Sequence, residues 1–444
     1  MKRFLVALLL LGGLPAQGQP AMPVEFDNYF TGSTLRLDYV FAGDASSQEI
    51  FLMEACKGGE WAGRKSHLEE SLLRGNGEIR LRDPQSGQTL YVNGFSTLFQ
   101  EWTGYEEATK VKRGFENCFQ VPFPKAPVTV EVRLWDAHGR ESALLSHPLD
   151  PSDILIRKLS PGIGPVKELH IGGGLSEAVD VVIVADGYTA AEEGKFFADA
   201  ARACQALLGH EPFASWKEKF NLRAVFVPSE ESGPSVPHKG IWQINALGSH
   251  FDTFYSQRYL TTSEVRQLYN VLGTVPFEQA IVLVNTPEYG GGGIFNSLTV
   301  MNSDHPTFTS VIVHEFGHAF GGLADEYFYD DMYETPYPAG VEPWEPNITT
   351  LTDFSSKWAD MLPPGTEIPT PSGDYGDVRK VWNTFPQEKK DWLNQEVGVF
   401  EGAGYSSHGV YRPVRECRMK INECEAFCPV CTRALVRMIH FLTE

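Results

Sequence analysis

The pattern of apolar residues changes once along the 444-residue chain, and this change limits the possible folds more than any other feature. Between residues 26 and 148, short runs such as 34–41 and 127–135 alternate apolar with polar residues. Alternation with a period of two predicts half-buried strands, and the turn-forming stretch from Asp83 to Gly87 predicts a hairpin. Short strands separated by turns are typical of a sandwich. Residues 24–150 are therefore predicted to form an all-β sandwich domain.

A segment rich in proline and glycine, residues 151–174, is predicted to be a linker. Beyond it, residues 179–185 form a nearly continuous apolar run, which is typical of a strand buried on both faces. The remaining predicted elements are a helix that starts at a Thr189–Glu192 capping box and runs to about Leu208, strands at 222–227 and 280–284, and a helix at 263–272. Alternating strands and helices predict a mostly parallel sheet, so residues 175–444 are predicted to form an α/β (α+β) domain.

The first residues have the order of a secretory signal. Lys2 and Arg3 precede an apolar run at residues 4–14, and small or polar residues follow at 16–18. We expect residues 1–18 to be a signal peptide and the mature protein to be periplasmic or extracellular. No later run reaches about 20 uninterrupted apolar residues, so no transmembrane segment is predicted. The formal net charge of −20 disfavours binding to phosphate backbones, so no nucleic-acid partner is expected.

Seven cysteines offer two kinds of cross-link. In an exported protein, disulfides are the default expectation, and Cys56 with Cys118 is a plausible pair. Four more cysteines lie close together near the C-terminus: Cys417, Cys424, Cys428 and Cys431. These four are expected to form disulfides, with a zinc knuckle as the alternative.

The clearest chemical signature is that of His314, Glu315 and His318. On a helix, histidines four residues apart lie one turn apart on the same face, so both imidazoles can reach one Zn²⁺. Glu315 is then placed to take a proton from water at the metal, not to bind the metal. The neighbouring apolar residues give this helix a face to bury: Ile312, Val313, Phe316, Ala319 and Phe320. The stretch predicts a catalytic zinc centre, with two satisfied core histidines as the alternative.

A catalytic zinc usually takes three protein ligands, so one more is required. In the metzincin pattern the third ligand follows a glycine turn, and Gly321 has the place of that glycine. The expected ligand position holds an alanine, but a second glycine, Gly322, lets the turn absorb one more residue. Asp325 is therefore predicted to be the third ligand. Glu326 or a distant histidine such as His408 are the alternatives, and Asp325 could instead be a partner to a ligand histidine.

Two further features of metzincins have candidates in this sequence. A methionine-containing turn lies beneath the zinc in those enzymes, and Met419 is the candidate, with an ordinary core methionine as the alternative. A tyrosine two residues after that methionine serves some metzincins as a transition-state donor, but the position is Ile421 here. We therefore consider Tyr411, Tyr405 and Tyr327 as donors to an oxyanion.

Four glycines at residues 290–293 precede a strand-like run at 294–300. Zinc peptidases commonly hold the substrate as an added strand along an edge strand above the metal, and residues 294–300 are the candidate for that edge strand. Glycines would let a peptide approach the backbone closely, so Gly292, Gly293 and Ile294 are predicted to contact the substrate. A flexible loop that leads into an ordinary strand is the alternative.

Four stretches resemble the IgA-peptidase family of bacterial zinc metallopeptidases: His-Glu-Phe-Gly-His-Ala-Phe-Gly-Gly-Leu-Ala-Asp-Glu-Tyr at 314–327, Ala-Asp-Gly-Tyr-Thr at 185–189, Cys-Arg-Met at 417–419 and Phe-Cys-Pro-Val-Cys at 427–431. The order of a β-domain before a peptidase domain is similar too. The resemblance spans roughly residues 24 to 444. It implies a metzincin-like zinc peptidase domain with His314 and His318 as ligands and Glu315 as base, but not immunoglobulin A as the substrate.

Together these features predict a secreted zinc-dependent endopeptidase with one catalytic Zn²⁺. Its expected substrate is an extracellular protein or peptide, including a host glycoprotein or an immunoglobulin. The alternatives are a zinc amide hydrolase that acts on peptidoglycan peptides, a non-catalytic surface binding protein and a structural zinc protein. An additional Ca²⁺ at Asp330 and Asp331 is also considered, against the simpler interpretation of a solvated acidic turn. The oligomeric state does not follow from the sequence.

Overall fold

The computed structural model describes residues 23–329, 336–373 and 378–444. The predicted signal peptide, 1–18, and the acidic pair Asp330 and Asp331 lie outside these ranges. Among the helices that the structure describes, none combines the length and the apolar character needed to cross a bilayer.

The N-terminal part of the chain forms two four-stranded sheets, ordered β5-β1-β2-β8 and β4-β3-β6-β7. Its strands are β1 (Phe30–Gly43), β2 (Gln48–Glu60), β3 (Gly77–Arg82), β4 (Thr89–Phe95), β5 (Arg113–Pro124), β6 (Val128–Trp135), β7 (Glu141–Leu149) and β8 (Arg157–Lys158). Two short helices accompany them, α1 (Phe26–Tyr29) and α2 (Leu98–Trp102). The predicted alternating runs coincide with β1 and β6, and the predicted hairpin joins β3 to β4.

The two sheets share one hydrophobic core. Each strand therefore turns one face toward this core, and the alternating apolar residues in the sequence mark that face. Buried and partly buried residues alternate without interruption along β6. Aromatic side chains from both sheets meet in this core; for example, the rings of Phe95 and Phe119 lie 4.3 Å apart. The N-terminal part therefore has the layered arrangement of a sandwich.

The expected pairing of Cys56 with Cys118 is wrong. Cys56 on β2 lies opposite Arg36, Cys118 on β5 lies opposite Asp38, and β1 separates the two cysteines. Two inter-strand spacings amount to roughly 9–10 Å, which exceeds the Cα separation of up to about 7 Å that a disulfide can bridge. Both cysteines are buried and free.

The predicted linker, residues 151–174, contains two short strands. Its first half contains β8, which adds to β2 of the N-terminal sheet in parallel. Its second half contains β9 (Val166–Ile171), which pairs antiparallel with residues 221–225 in the next sheet. The proline and glycine content of this segment predicted a junction between domains. It did not predict that the two halves of the segment pair with strands of two different sheets.

The second part of the chain is built on a six-stranded sheet ordered β13-β14-β12-β10-β11-β9. Its further strands are β10 (Val179–Asp186), β11 (Phe220–Val225), β12 (Gln279–Val284), β13 (Gly291–Ile294) and β14 (Leu298–Asn302). Its helices are α3 (Glu193–Leu208), α4 (Val265–Leu272) and α5 (Phe308–Gly321). The four inner strands are parallel and the two edge strands are antiparallel, so the predicted mostly parallel sheet is confirmed.

Burial explains the composition of the central strands. Every residue of β10 and of β12 is buried, as the continuous apolar runs predicted. The expected capping box at Thr189 and Glu192 is present and opens a single turn that leads into α3. Helix α5 contacts both β13 and β14 at one edge of the sheet, and it also contacts α3.

The C-terminal part adds a three-stranded sheet ordered β15-β17-β16 and two helices. These elements are β15 (Phe328–Tyr329), α6 (Gln387–Asn394), β16 (Phe400–Ala403), β17 (Tyr405–Arg412) and α7 (Pro429–Thr443). Helix α7 packs on α5, and the contact is close at Gly321, where a Cβ would lie 2.5 Å from the side chain of Leu435. The overall class is a sheet-rich α+β fold.

Partly buried polar contacts join the two parts of the chain. Arg36 on β1 donates to both carboxylate oxygens of Asp38, at 2.6 and 2.7 Å, and also to Asn270 on α4, at 2.9 Å. Arg266, also on α4, donates to Glu54 on β2 at 2.8 Å. The contacts of Arg36 with Asn270 and of Arg266 with Glu54 hold α4 against the N-terminal sheet, and Asp38 fixes the Arg36 guanidinium for this role.

Candidate metal centre

Helix α5 presents His314 and His318 from a largely buried segment. Its apolar residues, including Ile312 and Phe316, are buried, and the imidazole rings of the two histidines lie 4.7 Å apart on the remaining face. The helix ends at Gly321, and the capping residue Gly322 has the left-handed φ of +61° and donates its N–H to the carbonyl of His318 at 3.0 Å. This turn sends the following residues back past the histidines.

Asp325 completes a three-residue group with these histidines. The two Nε2 atoms lie 3.0 Å apart, and Asp325 Oδ1 lies 3.0 Å from that of His314 and 3.3 Å from that of His318. Three atoms bound to one tetrahedral metal at about 2.0–2.1 Å would be separated by roughly 3.4 Å, so these distances suit a shared ion.

The hydrogen bonds behind the rings show why this group suits a cation. His314 Nδ1 faces the carbonyl of Arg418 at 3.0 Å, and His318 Nδ1 faces the carbonyl of Leu323 at 2.5 Å. A carbonyl can only accept, so each Nδ1 carries a proton, and in the neutral form of each ring the lone pair on Nε2 faces inward. Two lone pairs and a carboxylate oxygen that converge at about 3 Å repel one another unless a positive charge lies between them.

The pKa values of His318 and Asp325 also show that this group favours a positive charge. Burial on its own lowers the pKa of His318, but the Asp325 carboxylate beside it raises that pKa to about 9. The histidines in turn hold the pKa of Asp325 far below its usual range, although burial opposes this. The donor set of two imidazoles and one carboxylate therefore fits a divalent metal ion.

The predicted alternatives for the third ligand lie elsewhere. Glu326 is fully buried but points to a separate group of cysteines, with its Oε1 3.0 Å from Cys431 Sγ. The side chain of His408 is 81% exposed beside Glu401. Among the residues that the sequence proposed as third ligand, the structure thus brings Asp325 to the histidines.

Asp325 is held from two directions. The Tyr405 hydroxyl donates to its second carboxylate oxygen, Oδ2, at 2.5 Å, and the Gly404 N–H donates to its backbone carbonyl at 2.9 Å. Asn347 is fully buried and fixes the backbone of Ala324, the residue before Asp325. Its side chain accepts from the Ala324 N–H at 2.8 Å and donates to the Ala324 carbonyl at 2.9 Å. Asn347 was not predicted as part of this site, because it lies 22 residues beyond Asp325 and belongs to no recognisable motif.

Tyr405 reaches Asp325 from the turn between β16 and β17. Gly404 and Tyr405 have φ values of +54° and +67°, and Ala403 pairs with Ser406 across them. Positive φ at both central residues defines a type I′ hairpin turn. Tyr411 lies six residues farther along β17, where it pairs with Thr349 and Glu401, so it is about 20 Å away along the strand.

Met419 lies directly beneath α5. It is fully buried, and a Cβ placed on Gly317 would be 3.0 Å from its sulfur. Its carbonyl accepts the N–H of Glu326 at 2.8 Å, and the preceding carbonyl, of Arg418, accepts from His314. The turn that contains Met419 therefore supports both His314 and the segment that carries Asp325.

Glu315 points toward the edge strand β13. A Cβ on Gly293 would lie 2.1 Å from the Glu315 carbonyl, and one on Gly291 would lie 3.4 Å from the Glu315 carboxylate. Only glycine permits this close approach of strand and helix. Burial raises the pKa of Glu315, against the lowering effect of His314 and His318.

The structure revises the predicted edge strand. The edge strand is β13, which consists of three glycines and Ile294, and most of the predicted run lies in β14, the next strand inward. Tyr259 bridges Gly291 on the outer side of β13, and a Cβ on Gly292 would lie 2.7 Å from its ring. The Tyr259 hydroxyl donates at 2.6 Å to Glu101, so a carboxylate from the N-terminal part belongs to the surroundings of the metal centre.

Comparison with known families agrees with this layout. Residues 168–392 and 386–439 match the family model described as IgA Peptidase M64, and residues 25–146 match the one described as Peptidase M64 N-terminus. The first of these matches contains His314, His318 and Asp325. No curated protein matches the sequence.

Proposed function

Because the chain belongs to the IgA Peptidase M64 family, and is thus a peptidase by family, we propose that it is a secreted zinc-dependent endopeptidase. The observation that carries this proposal is the convergence of His314, His318 and Asp325 within about 3 Å of one another, beside the carboxylate of Glu315. A donor set of two histidines and one carboxylate leaves a position open on zinc, as catalytic sites do. Export rests on the signal-like residues 1–18.

When zinc is bound, it supplies Lewis-acid chemistry that polarises a peptide carbonyl and makes a water more acidic. Glu315 accepts the proton of the attacking water and then gives it to the leaving amine. Its burial raises the pKa of the carboxyl, which suits a group that must both take and return a proton. Asp325 neutralises part of the metal charge and is itself held by Tyr405.

The glycine strand β13 supports a peptide as the substrate. An extended chain placed along an edge strand gains main-chain hydrogen bonds that do not depend on its side chains. Tyr259 already bridges Gly291, so Gly292, Gly293 and Ile294 are the proposed pairing residues, and a peptide there would pass close to Glu315. The substrate class is an extracellular protein or peptide.

The test is cleavage of a panel of secretory and serum proteins by the purified full chain, with and without a zinc chelator. We expect fragments from internal cleavage that disappear with chelator and in Glu315→Gln, while the variant keeps its bound metal. The control is Glu193→Gln, which changes an exposed glutamate at the start of α3 and is expected to leave cleavage intact.

Chelator-resistant cleavage, or cleavage by Glu315→Gln at the wild-type rate, would refute this mechanism. Zinc-loaded protein that cuts no protein but hydrolyses peptidoglycan peptides would replace the proposal with the amide hydrolase considered from the sequence. Inactivity on both substrates despite bound zinc would favour the non-catalytic binding protein.

A further inference from the structure

A second group of metal-binding residues lies close to the first. Glu326, Cys417, Cys428 and Cys431 are all buried, and their ligand atoms lie within 4.8 Å of one another. We propose that these four residues form a structural metal site, separate from the catalytic centre, that takes a thiolate-binding divalent cation such as zinc. From the sequence, a zinc knuckle of the four C-terminal cysteines was the alternative to disulfides; in the structure all four are free, and Glu326 stands where Cys424 was expected.

The distances within this group suit a tetrahedral ion. Cys417 Sγ and Cys431 Sγ are 3.9 Å apart, and two sulfurs bound to one zinc at about 2.3 Å are separated by roughly 3.8 Å. Glu326 Oε1 lies 3.0 Å from Cys431 Sγ. Three thiolates and one carboxylate fill four positions, which is the closed arrangement of a structural site.

Backbone N–H groups already point at the sulfurs. The N–H of Cys428 donates to Cys417 Sγ at 3.3 Å, and the N–H of Cys431 donates to Cys428 Sγ at 3.5 Å. Hydrogen bonds of this kind stabilise the thiolate form, which is the form that binds metal. Cys428 and Cys431 lie at the start of α7 in a Cys-Pro-Val-Cys turn, so one helix end supplies two sulfurs at fixed spacing.

Glu326 gives the independent reason to expect an ion. Its side chain is fully buried, and its Oε2 has no hydrogen-bond partner among the described residues. Oε1 receives a hydrogen bond from Asn347 at 3.0 Å and faces Cys431. A buried carboxylate with an unpaired oxygen is costly, and a metal ion next to the thiolates would remove that cost.

A disulfide accounts for this group less well. All three cysteines are free in the structure, and a disulfide would use two of the three sulfurs. The remaining thiol would then lie beside the buried carboxylate of Glu326, outside any cross-link. Cys424 lies outside the group, with its Sγ 3.5 Å from the Ala426 carbonyl.

The position of this site explains what it does. Glu326 directly follows Asp325, and Cys417 directly precedes Arg418, whose carbonyl holds His314. An ion that joins Glu326, Cys417 and the start of α7 would tie the third ligand of the catalytic centre to the turn beneath it. The second metal is therefore structural and positions the catalytic ligands.

The test is metal content of the full chain, purified without reductant or chelator. We expect about two metal ions per wild-type chain, and about one in the double variant His314→Ala, His318→Ala, since the thiolate site remains. Adding Cys428→Ser to that variant is expected to remove the last ion, whereas adding Cys424→Ser is the matched control and leaves it in place.

A second measurement does not depend on folding of a cysteine variant. In the double histidine variant, a mercurial thiol reagent is expected to release about one metal per chain into a colorimetric indicator, and Co²⁺ in its place is expected to show a sulfur-to-cobalt charge-transfer band. Absence of metal in that variant, or a disulfide among Cys417, Cys428 and Cys431 in a non-reduced peptide map, would overturn the proposal. A chain that carries the thiolate-bound metal but cleaves nothing would overturn only the proposed function.

Discussion

Replacing Tyr405 with phenylalanine removes a single hydroxyl from the surroundings of the metal centre. That hydroxyl donates at 2.5 Å to Oδ2 of Asp325, a residue that is only 7% exposed. Phenylalanine keeps the ring, and its backbone cost at the left-handed φ of +67° is the same as that of tyrosine. The substitution therefore isolates the hydrogen bond to the proposed third ligand.

The size of the effect follows from the charge on the acceptor. A hydrogen bond to a charged group contributes about 1.5–3 kcal/mol, and loss of a partner behind a metal ligand weakens metal binding by about 10–100-fold. Since a tenfold change corresponds to about 1.4 kcal/mol, these two ranges agree. We expect the metal Kd of Tyr405→Phe to rise by about 10–100-fold, with kcat at saturating metal within about threefold of wild type.

The assay is competition for zinc against a chelator of known affinity at fixed pH, followed by kcat and KM at saturating zinc. Tyr411→Phe is the matched control, because Tyr411 lies on the same strand and pairs with Thr349 and Glu401. It should leave both metal affinity and turnover unchanged. Unchanged metal affinity together with a large loss of kcat in Tyr405→Phe would refute the positioning role and assign the hydroxyl to the substrate oxyanion.

Two further predictions concern the edge strand and the N-terminal part. Gly293→Ala places a Cβ 2.1 Å from the Glu315 carbonyl, so we expect a loss of about 1–3 kcal/mol in urea unfolding together with reduced cleavage. Its control is Gly194→Ala on α3, where an added Cβ meets nothing within 4 Å, so the free energy of unfolding should stay the same or increase. Equal free energies of unfolding for the two variants would contradict the expected clash at Gly293. Burial raises the pKa of Glu101 from 4.5 to about 7, against the lowering effect of the Tyr259 hydroxyl, so the folded state binds its proton more tightly than the unfolded state. Wild type should therefore lose stability relative to Glu101→Gln as pH rises from about 4.5 to about 7 and no further above it, and parallel stability curves for the two proteins would exclude this titration.

Local patterns predicted most of the elements. The alternating runs around residues 34–41 and 127–135 became β1 and β6, and the continuous apolar run at 179–185 became the fully buried β10. The capping box opened α3 where expected. These predictions succeeded because side-chain period and capping chemistry depend on residues within one or two turns of each other.

Predictions that required pairing across the chain were less successful. Cys56 and Cys118 were paired because they were the two cysteines of the N-terminal third, yet β1 lies between them. The edge strand was placed at 294–300, but strand order put the glycines outermost. Neither strand order nor the distance between two strands is encoded in local periodicity.

The sequence by itself determined that His314 and His318 lie on one face of one helix, because their spacing of four matches the helical repeat. Only the tertiary structure decided between Asp325 and Glu326. The segment that follows Gly322 is not helical, and in an extended chain successive side chains point to opposite sides. Asp325 therefore contacts the histidines, and Glu326 contacts the cysteines. These cysteines lie about 100 residues farther along the chain, on α7 and next to the Met419 turn, so the packing of distant segments determines the contact.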